Sequence, residues 1–386
     1  MKNKTLMALT AAALALPGMN QKSEASEAIT DFQWGYQLTT YQEEDSVKNK
    51  TLLGDVERYD IQVHQLQFAS PLGEQRDVTL NVTTETMSGA SPMGIGRDAN
   101  NKSAVIMSGA SIDESRQDYS ANLRQFFKSS DVALSVGYSI EDDYQALSAG
   151  LSGNKHVNND LTTLSGGISL SSDGITPVES GVNDRFPERI DDEPKVSRTL
   201  FAGVSQIINR SLAVQLAVNV TSHSGFLSDP YKLRDQRPES RDQWSFIGKI
   251  RYFSRKLNAA LKVDARWYND SWGINAQTVD LKWHQNIGQA IKVIPTFRYY
   301  SQSQANFYYS SDDLSRTGFQ SSDYRLSPYG AMTVGIKWIT KFKDWSLSLA
   351  WENYQSSASL ALKPVSVENP ALVQFTRLSF GLTGKF

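Results

Sequence analysis

The chain contains no cysteine among its 386 residues. That excludes a disulfide framework, a thiolate metal centre and covalent haem attachment, so any redox role would have to come from a partner. Histidine is almost as scarce: His64, His156, His223 and His284 are scattered, without metal-ligand spacing. Lys and Arg number 39 against 41 Asp and Glu, so no basic excess points to nucleic acid. Nor is there a run of ~20 apolar residues of the kind a membrane-crossing helix needs.

The N-terminus has a short apolar run. Lys2 and Lys4 precede Leu6 to Leu16, then Pro17-Gly18 and the small-residue stretch SEASEA, with cleavage expected after Ala25 or Ala28. This pattern predicts a secretory signal peptide over residues 1–25 and an exported chain from 26 to 386. No cysteine follows the run to carry a lipid. The mean hydropathy of −0.41 resembles that of a soluble protein, but a transmembrane barrel also averages polar, because each lipid-facing residue alternates with one facing the lumen. Strand length and periodicity separate the two cases.

From Ser211 onward a period of two is sustained. SLAVQLAVNV sets Leu212, Val214, Leu216, Val218 and Val220 against Gln215 and Asn219, and LKVDARW sets Leu261, Val263, Ala265 and Trp267 against Lys262, Asp264 and Arg266. TVDLKWH, MTVGIKW and WSLSLAW repeat the pattern. Successive side chains of a strand point to opposite faces. These segments outlast the usual five or six residues of soluble strands and are long enough to cross a bilayer at a tilt. Strands are expected near 197–208, 211–224, 242–254, 256–270, 272–286, 290–304, 325–340, 344–356 and 376–386, joined alternately by short links and by long polar ones, with NDSW at 269–272 as a short exception. In the first half, strands are expected near 31–41, 55–70, 77–87, 103–110, 116–126, 131–150 and 159–172. The fold class is therefore all-β: a transmembrane antiparallel β-barrel of the outer membrane with about 16 strands, 14 or 18 being the alternatives. Long extracellular loops are expected at about 88–102, 173–196, 225–241, 305–324 and 357–372. MSGAS occurs at 87–91 and 107–111 and reads as a pair of strand ends or loops.

The aromatic residues suggest two girdles. If the short turns face the periplasm, Tyr252, Trp283, Trp338, Phe342, Trp345 and Phe386 fall at one interface, and Trp267, Tyr268, Trp272, Tyr299, Tyr300, Tyr329 and Tyr354 at the other. The last strand, TRLSFGLTGKF, ends on an aromatic residue, so Phe380, Leu382 and Phe386 read as an assembly signal for the barrel assembly machinery.

SGASIDESRQDY (108–119), SIEDDY (139–144), LSDPYK (227–232), RPESRD (237–242), RWYNDSWGI (266–274), RYYSQSQANFY (298–308) and SDYRLSPYGA (322–331) resemble the recurrent blocks of an outer-membrane barrel family, domain of unknown function 3570. The resemblance implies a Gram-negative outer-membrane location and contact with outer-membrane lipid. It also implies company with thioredoxin-like and flavin-attaching periplasmic redox proteins. It carries no substrate and no catalytic residues.

No residue pattern marks an enzyme. Glu141, Asp142 and Asp143 of SIEDDY could offer oxygens to a cation such as Ca²⁺, but they match no calcium loop and read as a solvated strand end. Asp229, directly before Pro230, reads as a turn residue. No catalytic, cofactor-binding or metal residues are assigned, and no cofactor is expected.

The informative residues are the charges the register turns inward. Lys249, Arg251, Lys262, Arg266, Lys282, Lys292, Arg298, Lys337, Arg377 and Lys385 are basic, against Asp264, Asp280 and Glu352. One reading is an anion-favouring pore. The other is a ladder of cross-strand ion pairs, such as Asp264 and Arg266 near Asp280 and Lys282, with Glu85, Asp118 and Glu141 compensating from the opposite wall. Two functions follow: a channel or transporter for small polar, anionic or redox-related solutes, or a non-conducting scaffold that anchors periplasmic redox proteins. A TonB-dependent transporter is disfavoured, because a first strand near Asp31 leaves no room for a plug.

Overall fold

The computed structural model describes residues 27–108, 112–177, 192–232, 234–313 and 315–386. The expected signal peptide lies outside the described residues, as do 178–191 of the second long loop and 109–111 of the second MSGAS.

Sixteen strands form one closed antiparallel barrel. They are β1 Gln33–Glu43, β2 Asp60–Pro71, β3 Arg76–Gly89, β4 Ile112–Phe127, β5 Ser130–Ile140, β6 Tyr144–Val157, β7 Thr162–Ile175 and β8 Glu193–Asn209. There follow β9 Leu212–Gly225, β10 Ser240–Ser254, β11 Ala259–Asp270, β12 Asn275–Ile287, β13 Ile291–Gln302, β14 Tyr329–Phe342, β15 Trp345–Ser357 and β16 Gln374–Lys385. Each pairs with its neighbour in sequence, and β1 pairs with β16 from Gln33↔Lys385 to Glu43↔Phe375. Among the described residues no helix is long and apolar enough to cross a membrane.

The two ends of the barrel differ. At one end every link is short, and the tight turns use left-handed backbone at Asn158, Asn159, Asp160 and Asn258, with Gly73 and Gly288 in the same region, residues that adopt positive φ at little cost. At the other end six links are long, and only 141–143 and 271–274 are short.

The count of sixteen conceals two local differences from the sequence reading that cancel. The segment expected as one strand over 131–150 is two, β5 and β6, hinged at Glu141–Asp143. The segment expected at 103–110 is not in the wall: Ser103–Met107 pairs with Pro92–Arg97 and Thr51–Leu53 in a three-stranded sheet among the long loops. The outward face changes parity across the hinge, from Val136 and Tyr138 to Leu147 and Leu151, and in the loop strand SAVIM the residues from Ala104 to Met107 are continuously apolar, without the alternation of a wall strand.

The outer face is apolar and exposed: Leu147, Ile168, Leu200, Leu216, Ile336 and Leu349 all point away from the bore. The girdle at the short-turn end is as expected, with Tyr252, Trp338, Phe342, Trp345 and Phe386 exposed. Trp34 meets Trp345 edge-on at 5.1 Å, and Phe32 stacks on Phe386 at 6.1 Å, so rings from both chain ends cover the closing seam. The other girdle is largely overturned. Trp267 faces outward, but Tyr268, Tyr300, Tyr329 and Tyr354 share parity with the inward charges, and Trp272 is buried beneath the loops against Phe307.

The two faces of β9 can be tested directly. Val218→Arg, on the lipid side, should destabilise the barrel by ~2–4 kcal/mol, whereas Gln215→Arg, facing the bore, should change it by less than about 1 kcal/mol. Equilibrium denaturant unfolding in lipid vesicles checks the difference, and equal costs would refute the register.

Candidate functional site

The bore is divided chemically around its circumference. On the wall from β1 to β8 the cations lie beside acids, and one arginine is shared by several. Arg124 Nε bonds Asp131 Oδ1 at 2.8 Å, and Asn154 donates to the same carboxylate. Lys195 Nζ bonds Asp173 at 2.7 Å, and Arg116 lies 3.8 Å from Glu85, 3.9 Å from Asp118 and 3.5 Å from Glu141. Gln37 donates to Gln65, and Thr39 pairs with Ser379. Arg116 is thus shared by Glu85, Asp118 and Glu141, and Glu85 also lines a chamber together with Lys249 and Arg266 of the far wall.

The far wall, β10 to β14, carries the predicted basic residues. Arg251 pairs with Asp264, Arg298 Nε with Asp280 Oδ1 at 2.7 Å, and Arg377 on β16 with Glu352. Those three pairs engage every inward acid the sequence reading placed on this wall. Lys249, Lys262, Arg266, Lys282 and Lys292 have no carboxylate within ion-pair distance among the described residues. The anticipated partners are also different. Register places Lys262 opposite Lys282 and Asp264 opposite Asp280, so like charges meet where unlike ones would form a ladder, an arrangement that disfavours the fold. Lys337 is buried and Lys385 Nζ reaches Asp31 at 3.8 Å at the short-turn end. Phe380 and Leu382 of the expected assembly signal sit in β16 opposite Leu38 and Tyr36.

The long loops close over the other end. Arg325 Nη2 bonds Asp229 Oδ2 at 2.8 Å and also engages Asp323, while Arg237 bridges Asp323 at 2.8 Å and Asp235 at 2.7 Å. Burial opposes ionisation of Asp323, yet Arg325, Lys232 and Arg237 hold its carboxyl well below the ordinary range. Asp229 is a turn residue, accepting from Tyr231 N at 3.1 Å, and a member of this network as well. Arg58 Nε bonds Glu43 at 2.6 Å, and its Nη1 donates to Ala371 O. Asn369 donates to Tyr308 and Ser322, and Ile95 N to Asp312 at 2.9 Å. The two MSGAS copies meet in this cap, where Ser91 N donates to Ser108 Oγ and Ser108 N to Ser91 O. The loops pass so close that a Cβ on Gly89, already at φ +116°, would sit 2.2 Å from Arg58 O.

Below the cap is a chamber of about 670 Å³, lined by Tyr324 and Arg325 of the cap, by Tyr41, Tyr300, Tyr329, Tyr354 and Phe375, and by Lys249, Arg266, Arg298 and Arg377. The sequence reading missed the tyrosines, although parity with Arg298, Lys337 and Glu352 places Tyr300, Tyr329 and Tyr354 inward.

Glu141 and Asp143 are buried, not solvated, while Asp142 points away. One oxygen from each of Glu114, Glu141 and Asp143 lies within 4.8 Å of the others. Burial, opposed by Arg116 and reinforced by Glu114, Asp143 and Glu85, pushes the Glu141 carboxyl up to about 8. Glu141 thus keeps its proton at neutral pH.

A closed sixteen-stranded barrel with an apolar exterior and a polar bore defines a transmembrane barrel protein. The chain belongs to the family described as Protein of unknown function (DUF3570), whose profile matches residues 6–369. Among solved structures it is similar to CdiB from Acinetobacter baumannii, with a TM-score of 0.52 at 8% identity, over 92% of this chain and 60% of that one. A bacterial polysaccharide outer membrane secretin gives 0.49 at 10%, over 94% and 100%. The siderophore receptor PirA from Pseudomonas aeruginosa gives 0.45 at 10%, over 92% and 62%. The chain thus spans about three-fifths of the length of CdiB and of PirA, and the likeness to CdiB is one of fold. No curated protein sequence matches.

Two outcomes follow from these geometries. Arg325→Met would leave buried Asp323 and Asp229 short of their cation, a change of ~3–5 kcal/mol borne by the cap. Limited proteolysis should then cut 303–328 much faster while β14 and β15 stay protected; unchanged cleavage would show that the network does not hold the cap. For Glu141, the folded value lies above the ordinary 4.5, so its contribution to stability is full below that value and is lost as pH rises through about 8. Glu141→Gln should therefore raise the melting temperature at pH 9 relative to wild type and leave it nearly unchanged at pH 4, as read by thermal melts in detergent.

Proposed function

We propose that the protein is an outer-membrane barrel of a Gram-negative bacterium that conducts or transports small anionic solutes, with the short turns in the periplasm and the cap outside. The observation that carries this reading is the direct opposition of Lys262 and Lys282 inside the bore, flanked by Arg251. A wall built only for stability would exchange one of them for an acid, as Asp280 and Arg298 do next door. Concentrated positive charge in a confined aqueous path attracts anions. Lys249, Lys262, Lys282 and Lys292 lie in the halves of β10 to β13 nearer the short turns, and the cap stands over the other mouth, so a solute crossing the barrel would pass both.

The interlocked cap supports a second reading, a non-conducting barrel that anchors periplasmic redox proteins. Neither reading requires catalysis; the hydroxyl–imidazole contact of Ser197 and His223, 2.8 Å across β8 and β9, is taken as a cross-strand hydrogen bond of the wall.

Planar-bilayer recording of the refolded chain under a salt gradient separates the readings. The conduit predicts steady conductance with a reversal potential favouring chloride. One unit charge ~8 Å from a passing ion at an effective dielectric of ~40 is worth about 1 kcal/mol, or about fivefold. Lys262→Glu/Lys282→Glu should therefore invert the preference. A folded but silent barrel would remove the conduit and leave the scaffold.

A further inference from the structure

We infer that the chamber beneath the cap is a binding site for an organic anion with a planar ring system; this rests on the bore being a solute path, but it is measured separately. Five rings on five consecutive wall strands form its side: Tyr41 on β1, Phe375 on β16, Tyr354 on β15, Tyr329 on β14 and Tyr300 on β13. Phe375 lies 4.5 Å from Tyr41 and stacks on Tyr354 at 4.6 Å, and Tyr300 lies 5.7 Å from Tyr329. Tyr324 of the cap joins them as the roof.

The polar atoms of this arc are already engaged. Tyr41 donates its hydroxyl to Glu43 Oε1 at 2.7 Å and Tyr300 to Gln302 Oε1 at 2.5 Å. What remains for a ligand is ring face, which favours a flat apolar body over a sugar, whose hydroxyls need free donors and acceptors.

The strands further along the ring, β10 and β11, supply charge. Asp264, Asp280 and Glu352 are each taken by an arginine, and the fourth acid of the lining, Glu85, lies 3.8 Å from Arg116, which leaves the lining positive through Lys249 and Arg266. Arg266 is held in place by Nε and Nη2 donating to Ser245 Oγ at 3.1 and 2.8 Å, so its fork is set before a ligand arrives. A volume of about 670 Å³ falls within the range of small-molecule sites and exceeds what an inorganic anion needs. A ring arc flanked by fixed cations matches a ligand with both features.

The test is calorimetric titration of the folded full-length barrel in detergent, with detergent alone as the blank. Three probes are used: naphthalene-1,5-disulfonate, inorganic sulfate, which carries charge without a ring, and caffeine, which is flat and uncharged. The disulfonate should bind saturably at one site, and sulfate and caffeine about tenfold more weakly or not at all. Arg266→Gln and Tyr354→Leu should each weaken the disulfonate at least about fivefold, with heat-modifiable gel mobility confirming that both variants fold. Sulfate binding as tightly as the disulfonate, caffeine doing so, or no saturable binding of the disulfonate would each overturn the site. An anion-selective conductance with no disulfonate binding would sink this inference alone, and a silent barrel that binds the disulfonate would sink the conduit alone.

Discussion

Everything in this molecule depends on the eleven residue pairs that join β1 to β16. In hydrocarbon an unpaired strand edge has no water to satisfy its amides, so a sheet can cross a bilayer only when it closes on itself. Closure fixes register around the whole ring, and register fixes which side of every strand faces lipid. The exposed apolar exterior and the polar bore are thus one fact seen from two sides. The rings of Phe32, Trp34, Trp345 and Phe386 gather where the first and last strands meet, so the seam is also covered at the membrane interface, where aromatic side chains are favoured.

Within that frame the bore divides its labour. On the wall from β1 to β8, Arg116, Arg124 and Lys195 each lie against acids beside them. The wall from β10 to β14 leaves five cations unmatched. A fold selected for stability alone would distribute acids evenly, because like charges directly opposed across strands are unfavourable. Concentrating the mismatch on one wall, next to a chamber and away from the lipid, is what makes that wall the candidate site.

Much of the barrel was legible in the sequence because a transmembrane strand is long and its period of two is strict. The inward charges from Lys249 to Arg377 follow from parity alone, and so do the tyrosines: Tyr268 lies two residues from inward Arg266, and Tyr300 two from inward Arg298. The hinge at Glu141–Asp143 does leave a trace: the outward residues are even before it, Leu134, Val136 and Tyr138, and odd after it, Leu147 and Leu151, with three acids between. The cap was not legible. Asp229 before Pro230 reads locally as a turn residue, which it is, and its second partner, Arg325, lies 96 positions away. Long-range ion pairs between loops leave no periodic trace.

The cap and the chamber share residues, and this has a mechanical consequence. Arg325 holds Asp229 and Asp323 above while its side chain lines the chamber below, and Tyr324, from the same short turn, forms part of the roof while its ring sits 5.9 Å from the Arg58 guanidinium that ties 44–59 to 358–373. An arginine between two buried carboxylates tolerates little displacement, because moving it leaves them short of their cation. On the proposed reading, an anion in the chamber would compete with Asp229 and Asp323 for Arg325. Occupancy and cap closure would then draw on the same guanidinium, so that binding strong enough to engage it would loosen the loops it holds. A solute that reached only the lysines below would leave the cap as it is.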